Sequence, residues 1–233
     1  MKSKILKIIL PFVLSIAPIT SHTQTINIGI GCGLTNVVGS SFYNSKLYIS
    51  FDSDFHQRLT LIKLTGLDFD IGYNVVLQSL FQFNNSPFAV YGEINYNSFL
   101  GKGTMVVFTP RMNPIPPNPI DVQSSFNIVN SNIGLKYELL DKSIIPFLSS
   151  GIVVSYLSKV KITSITNDSF KFTMLKERIR FGISLGAGLN YKISSKILIG
   201  VSSKYIINNI FSKGDLKEEI NILTTDLFIH YSL

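Results

Sequence analysis

The residues best suited to chemistry lie close together in segment 51–58, which contains Asp52, Ser53, Asp54 and His56. A histidine can act as a general base when a carboxylate orients it, and a nearby hydroxyl can then act as the nucleophile. The two aspartates would also be suitable oxygen ligands for a metal ion. Polar loops often contain such residues by composition alone. The main prediction is therefore a chain without a catalytic residue, metal ligand or cofactor, and catalysis around His56 is kept as an alternative.

A second set of ionisable residues occupies alternate positions within largely apolar segments. In each segment, large apolar side chains alternate with small, polar or charged ones, and this two-residue period is typical of a β-strand. The charged residues therefore share one face of each predicted strand. They are Asp68, Asp70, Glu93, Lys136, Glu138, Lys192, Lys204, Asp226 and His230.

The clearest alternation lies in segment 181–205. Phe181, Leu185 and Leu189 share one face of its first half, while glycine, serine and asparagine occupy the other face. A serine pair at 194–195 separates this half from a second alternating half, which predicts a tight hairpin. The second face of a soluble sheet is normally covered by long charged side chains. Small residues suit the inner wall of a narrow closed barrel whose bulky face contacts lipid.

The same alternation recurs along the chain and predicts eight strands, separated by connections that are alternately long and short. This asymmetry is typical of a membrane barrel with short periplasmic turns, long external loops and both termini inside. The predicted fold is an all-β, eight-stranded antiparallel transmembrane up-and-down β-barrel. A short hairpin is predicted at 46–51 and a strand extension at 170–175. The eight predicted strands are 25–35, 67–76, 88–97, 132–139, 147–156, 181–192, 197–205 and 223–233.

The composition agrees with a membrane protein of this kind. Only 15% of the 233 residues are charged, and the mean hydropathy is +0.31. No run of eighteen apolar residues follows the N-terminal region, which excludes helical membrane spans. The single cysteine, Cys32, excludes an intramolecular disulfide. The sequence has no phosphate-binding glycine loop or nucleic-acid module, so we expect no cofactor and no nucleic-acid partner.

The N-terminus predicts export. Three lysines precede a short apolar run that prolines interrupt, and this pattern is typical of a secretory signal peptide. We expect the signal peptide to cover residues 1–23, with cleavage between 20 and 24, and the barrel domain to cover 24–233. The predicted location is the outer membrane, reached through the inner membrane, with lipid around the barrel.

An eight-stranded barrel is filled by its own side chains, so the charged residues of the inner face must pair or keep water. We therefore interpret them as an interior charge network that plugs the barrel. The alternative is an interior that conducts ions or relays protons.

A proline-rich tract in the second long connection is a candidate partner-binding loop. A stiff external segment loses little conformational entropy on binding, which favours recognition of an envelope protein. The same stiffness could serve only to resist proteolysis. The prolines concerned are Pro110, Pro114, Pro116, Pro117 and Pro119.

Segments 146–156 and 181–191 resemble the small outer-membrane β-barrel proteins of Bacteroidota that include the PorT-like family. The resemblance extends in looser form over the mature chain, and the alternating Leu227, Ile229 and Tyr231 resemble an outer-membrane assembly signal, although the chain ends in Leu233 rather than phenylalanine. It implies a barrel of the cell envelope with an accessory role in protein secretion or envelope assembly.

The predicted function is a non-enzymatic structural or interaction role in the envelope. One alternative is a small transport barrel for hydrophobic solutes. Another is an outer-membrane barrel enzyme that uses the loop around His56. A soluble lipocalin-like barrel, with its apolar face inside, is the alternative for the fold.

Overall fold

The computed structural model describes residues 24–38, 46–51, 58–69, 71–83, 86–108, 119–139, 143–165, 171–174, 178–208 and 220–233. No helix long and apolar enough to cross a membrane occurs among these residues. The predicted signal peptide lies outside them. The strands are β1 Gln24–Val38, β2 Lys46–Phe51, β3 Arg58–Phe69, β4 Gly72–Phe83, β5 Phe88–Phe108, β6 Ile120–Glu138, β7 Ile144–Leu157, β8 Val160–Ser164, β9 Lys171–Met174, β10 Arg178–Lys192, β11 Ile197–Asn208 and β12 Ile220–Ser232.

Eight of these strands close into a ring, which confirms the predicted antiparallel barrel. The ring order is β1, β4, β5, β6, β7, β10, β11 and β12, and β12 returns to pair with β1. Closure leaves no strand edge exposed within the ring, as hydrocarbon surroundings require.

Over one full circuit of the ring, the register of the strands is displaced by ten residues. Register partners can be followed from Asn190 of β10 around the whole ring, and the path returns to β10 at Arg180. With ordinary strand spacings, this stagger corresponds to a tilt of about 40° from the barrel axis. The tilt fixes which inward side chains lie at the same height.

The large apolar side chains face outwards, as predicted. Ile30, Leu185 and Ile199 are 63%, 55% and 39% exposed, whereas Glu93 and Lys136 are each 3% exposed. A soluble barrel with an apolar interior would show the opposite distribution. The lipocalin-like alternative is therefore wrong, and the exposed apolar face is the one that contacts lipid.

Aromatic rings inside the barrel occupy the space that glycines leave free. Phe228 lies directly between Gly31 and Gly200 in the register of β1, β12 and β11. A Cβ atom at Gly200 would lie 2.2 Å from Cε2 of Phe228. The absence of a side chain at these positions allows the narrow lumen to contain a phenyl ring.

The wall of the barrel continues beyond the ring at the long-loop end. There the strands form an open sheet in the order β2, β3, β5, β6, β8, β9, in which β2 and β9 are the edges within the described residues. The sequence prediction treated residues 98–131 as a long connection, which was wrong because β5 extends to Phe108 and β6 begins at Ile120. The predicted extension near 170–175 is present as β9.

The region before β4 also differs from the prediction. Apart from the short hairpin at 46–51, residues 36–66 lie in a predicted connection, but β3 covers 58–69 and pairs with the far end of β5. Segment 46–51 is not a hairpin in itself, since it forms a single strand, β2, that pairs with β3. The predicted strand at 67–76 is shared between two strands, since β3 ends at Phe69 and β4 begins at Gly72. The register with β5 is shifted by one residue between Phe69 and Tyr73.

Candidate functional site

An ion pair crosses the lumen near the middle of the barrel. Lys204 lies on β11 and Glu93 on β5, which is four strands away in either direction around the ring. The Lys204 Nζ is 2.5 Å from Oε2 of Glu93, and both side chains are almost completely buried. The Nε2 of Gln78 donates to the same oxygen at 3.0 Å. The Lys204 ammonium also lies 5.3 Å from the ring centroid of Tyr91.

A second ion pair lies nearer the short-turn end. Lys136 and Glu138 are two positions apart on β6, so both face the lumen, and their charged atoms are 3.4 Å apart. Gln82 donates to Oε2 of Glu138 at 3.0 Å. The Lys136 ammonium lies 4.0 Å from the ring centroid of Phe147. The cation is therefore held between a carboxylate and an aromatic face.

Asp226 is buried without a salt bridge. Asn74 donates to its Oδ1 at 2.6 Å, and the Thr224 hydroxyl donates to its Oδ2 at 3.4 Å. No lysine, arginine or histidine lies within salt-bridge distance among the described residues. His230 is also buried and meets the Phe228 ring edge-on, 4.7 Å between centroids.

Neutral side chains complete the filling of the lumen. Asn132 donates from Nδ2 to the Tyr91 hydroxyl at 3.1 Å and to the Ser184 hydroxyl at 2.9 Å. Ser155 donates to Oδ1 of Asn208 at 2.5 Å. The contacts of Asn132 with Ser184 and of Ser155 with Asn208 each join strands that are not neighbours in the ring, so they brace the wall from inside.

The structure brings together most of the residues predicted for the interior charge network. Buried or half-buried positions facing the lumen are occupied by Glu93, Lys136, Glu138, Lys204, Asp226 and His230.

Of the other three residues of the predicted network, Lys192 is placed differently, and the side chains of the remaining two are not described. Lys192 is exposed, because it is the last residue of β10 before the short turn and lies beyond the enclosed part of the lumen. Asp68 lies on β3, opposite Lys102 in the sheet beyond the ring, and the structure does not describe its side chain. Asp70 falls outside the described residues.

The loop residues that could have carried other functions are mostly outside the described part of the chain. This applies to His56, Asp52 and Asp54, and also to Pro110, Pro114, Pro116 and Pro117. Pro119 is exposed immediately before β6. The described ranges contain no group of three or more histidine, cysteine, aspartate or glutamate side chains placed to bind a metal.

The sequence reasoning missed the neutral partners of the charged groups. Asn74, Gln78, Gln82, Tyr91 and Asn132 hold the carboxylates or each other. Their inward positions follow from the alternation, which is the signal that could have identified them. Their partners on other strands can be identified only when the register of the barrel strands is known. As a whole, the lumen is suited to bracing the wall, since charged groups and amides are joined across it.

The comparisons with known proteins agree with this architecture. A family model described as "Outer membrane protein beta-barrel domain" matches residues 12–226. A comparison with curated proteins found no match.

Several solved structures are similar to this chain. Ail, the attachment invasion locus protein of Yersinia pestis, in complex with the heparin analogue sucrose octasulfate, is 16% identical, with a TM-score of 0.46 over 91% of this chain and 99% of that chain. Neisserial surface protein A is 6% identical, with a TM-score of 0.46 over 90% and 97%. The outer membrane protease OmpT of Escherichia coli is 8% identical, with a TM-score of 0.43 over 92% and 98%.

Proposed function

The chain belongs to the outer membrane protein beta-barrel domain family, and we propose that it acts without catalysis, as a membrane anchor that holds an external β-sheet for contact with an envelope partner. The observation that carries the proposal is a contrast between the two parts of the wall. Within the ring, the lumen is closed by its own side chains, and beyond the ring the same wall continues as an open sheet.

The filled lumen supports a structural role rather than transport. Lys204 and Glu93 meet across the barrel, and Asn132 joins Tyr91 and Ser184 inside the same lumen. A pathway for hydrophobic solutes would need an apolar pocket or an opening in the wall. The ring pairs continuously, and its interior contacts are mostly polar.

The sheet beyond the ring supports an interaction role. The edge strands β2 and β9 carry backbone groups that can pair with an added strand, which is a recurring mode of peptide recognition. Short turns of such barrels face the periplasm and long loops face outwards. The open sheet would therefore project from the cell surface, and in the sequence the proline-rich tract lies between two of its strands, β5 and β6.

Export by a cleaved signal peptide at residues 1–23 belongs to the same proposal, supported by the lysines and the short apolar run of that segment. The PorT-like resemblance of segments 146–156 and 181–191 supports an accessory role in protein secretion or envelope assembly.

Removal of the β8–β9 hairpin tests the interaction role. In one variant, residues 159–176 are replaced by a short glycine and serine linker, which leaves all eight ring strands intact. We expect proteins that co-purify with the parent from gently solubilised membranes to be lost from this variant. Folding of the variant is checked by its resistance to unfolding on an unheated gel. Identical sets of co-purifying proteins would contradict the proposal.

A catalytic role is tested separately through the loop that contains His56. Parent and His56→Ala proteins are compared on lipid and peptide substrates in membranes. We expect no activity from either protein. An activity that the parent shows and the variant lacks would overturn the non-enzymatic proposal.

A further inference from the structure

A small cavity lies in the lumen and is lined by residues of strands β1, β4, β5, β11 and β12. Its polar lining consists of Gln78, Glu93, Ser202 and Asp226, and the ring of Phe228 covers part of the remainder. The cavity has room for about one water-sized occupant. It is distinct from the Lys136–Glu138 ion pair, neither member of which lines it.

The polar lining presents oxygen atoms that lack donors. Both hydrogen bonds of the Glu93 carboxylate fall on Oε2, from Gln78 and Lys204, so Oε1 has no partner among the described residues. Gln78 donates through Nε2, which leaves its Oε1 as a free acceptor. The Ser202 side chain is more than nine-tenths buried, and its hydroxyl has no hydrogen-bond partner in the described structure.

The charges around the cavity do not balance. Glu93 and Asp226 contribute two negative charges, and Lys204 is the one ammonium hydrogen-bonded to this group within the described residues. Lys136 is already paired with Glu138. One negative charge is therefore uncompensated in a site from which bulk water is excluded, an arrangement that is costly unless a counter-charge is present.

We propose that this cavity binds a sodium ion between the carboxylates of Glu93 and Asp226, with further oxygen ligands from Gln78 and Ser202. A hard cation prefers oxygen ligands, and a single positive charge neutralises the group. A water molecule would satisfy the free acceptors but would leave the negative charge. Calcium would bring an excess positive charge and requires six to eight ligands. The bound ion would join four strands from inside the barrel.

The test compares thermal unfolding of the whole protein in sodium chloride and in choline chloride at equal concentration. The protein is refolded from urea into an uncharged detergent in each salt, so that the site can fill while the barrel forms. Choline matches the charge of sodium but is too large for the cavity. We expect sodium to raise the melting temperature of the parent by about 2–4 °C relative to choline.

Two variants locate the effect. Asp226→Asn should remove the difference between the salts, because it removes the uncompensated charge. Glu138→Gln is the matched control, since it neutralises a lumen carboxylate outside the cavity and should retain the difference. If Asp226→Asn does not fold, Ser202→Ala provides the comparison. Because it lacks one oxygen ligand, it should need a higher sodium concentration than the parent to reach half of the maximal rise in melting temperature.

The proposal is overturned if the parent melts at the same temperature in both salts, or if Asp226→Asn keeps the full sodium effect. The proposal is also overturned if Ser202→Ala reaches half of its maximal rise in melting temperature at the same sodium concentration as the parent. Stabilisation that follows acidification alone and is equal in both salts overturns it as well, because a proton would then provide the missing charge.

Discussion

Individual side chains inside the barrel are held mainly by partners on other strands. The pair formed by Lys204 and Glu93 is the extreme case, because it spans the full width of the lumen. Removing one member of a buried ion pair leaves the other charge uncompensated, which strongly destabilises the folded protein. The intact ion pair contributes much less stability when it is compared with two uncharged side chains of similar size. The lumen pairs should therefore be sensitive to single substitutions and tolerant of double ones.

Lys204→Met should lower the free energy of unfolding by about 3–5 kcal/mol, because Glu93 remains buried without its cation. The double variant Lys204→Met/Glu93→Gln should recover most of that loss. Urea unfolding of protein inserted in lipid vesicles measures both. A double variant that is as unstable as the single one would show that the pair itself contributes the stability.

A charge on the outer face should be costly according to its depth in the membrane. Leu185 lies at the middle of β10 and is exposed to lipid. Leu185→Arg should cost about 2–4 kcal/mol, and Tyr191→Arg, at the end of the same strand and face, about 0–1 kcal/mol. The same unfolding measurement in vesicles compares them. Equal costs at the two positions would contradict the membrane orientation.

Many of the residues that face the lumen could be predicted from the sequence, because apolar and polar side chains alternate along each strand. Glu93, Lys136 and Asp226 were identified as inward from their neighbours alone. Lys192 also occupies an inward position in the pattern, but a strand end near a turn is open to solvent. Partners such as Asn74 and Asp226 are 152 residues apart, and no local pattern specifies that distance.

At the scale of the strands, the prediction found all eight strands of the ring but missed most of the sheet beyond it, apart from β9. Inside the ring, one face meets lipid and the other a narrow lumen, so the two faces differ sharply in residue type. In the sheet beyond the ring, that contrast is weaker. Segment 98–108 of β5 mixes glycine, lysine and threonine with apolar residues, so its continuation as a strand was missed.

The packing of β11 and β12 should depend on the space left at Gly200. A Cβ atom there would approach the Phe228 ring to 2.2 Å, so Gly200→Ala should lower the free energy of unfolding by about 1–3 kcal/mol. Gly186→Ala is the control, because its closest contact is the movable Ser149 hydroxyl at 2.7 Å. Unfolding in urea should rank Gly200→Ala as the less stable variant.

For the whole molecule, the lumen contacts predict a closed barrel. The parent, inserted into a planar bilayer, should give no stable and reproducible conductance steps, because charged and amide side chains are joined across the interior. Recording at several voltages checks this. Steady conductance steps from the parent would contradict the interpretation of the interior as a plug.

The pairing of β1 with β12 joins the two strands of the ring that lie furthest apart in sequence, and Leu233 donates its backbone N–H to the carbonyl of Ile26. The ring therefore closes only when β12 pairs with β1. Until then β1 would present unpaired peptide groups to hydrocarbon, which lipid cannot satisfy. We therefore expect a chaperone or insertion machine to shield that edge during biogenesis, and loss of β12 to leave an open sheet that cannot close into a barrel.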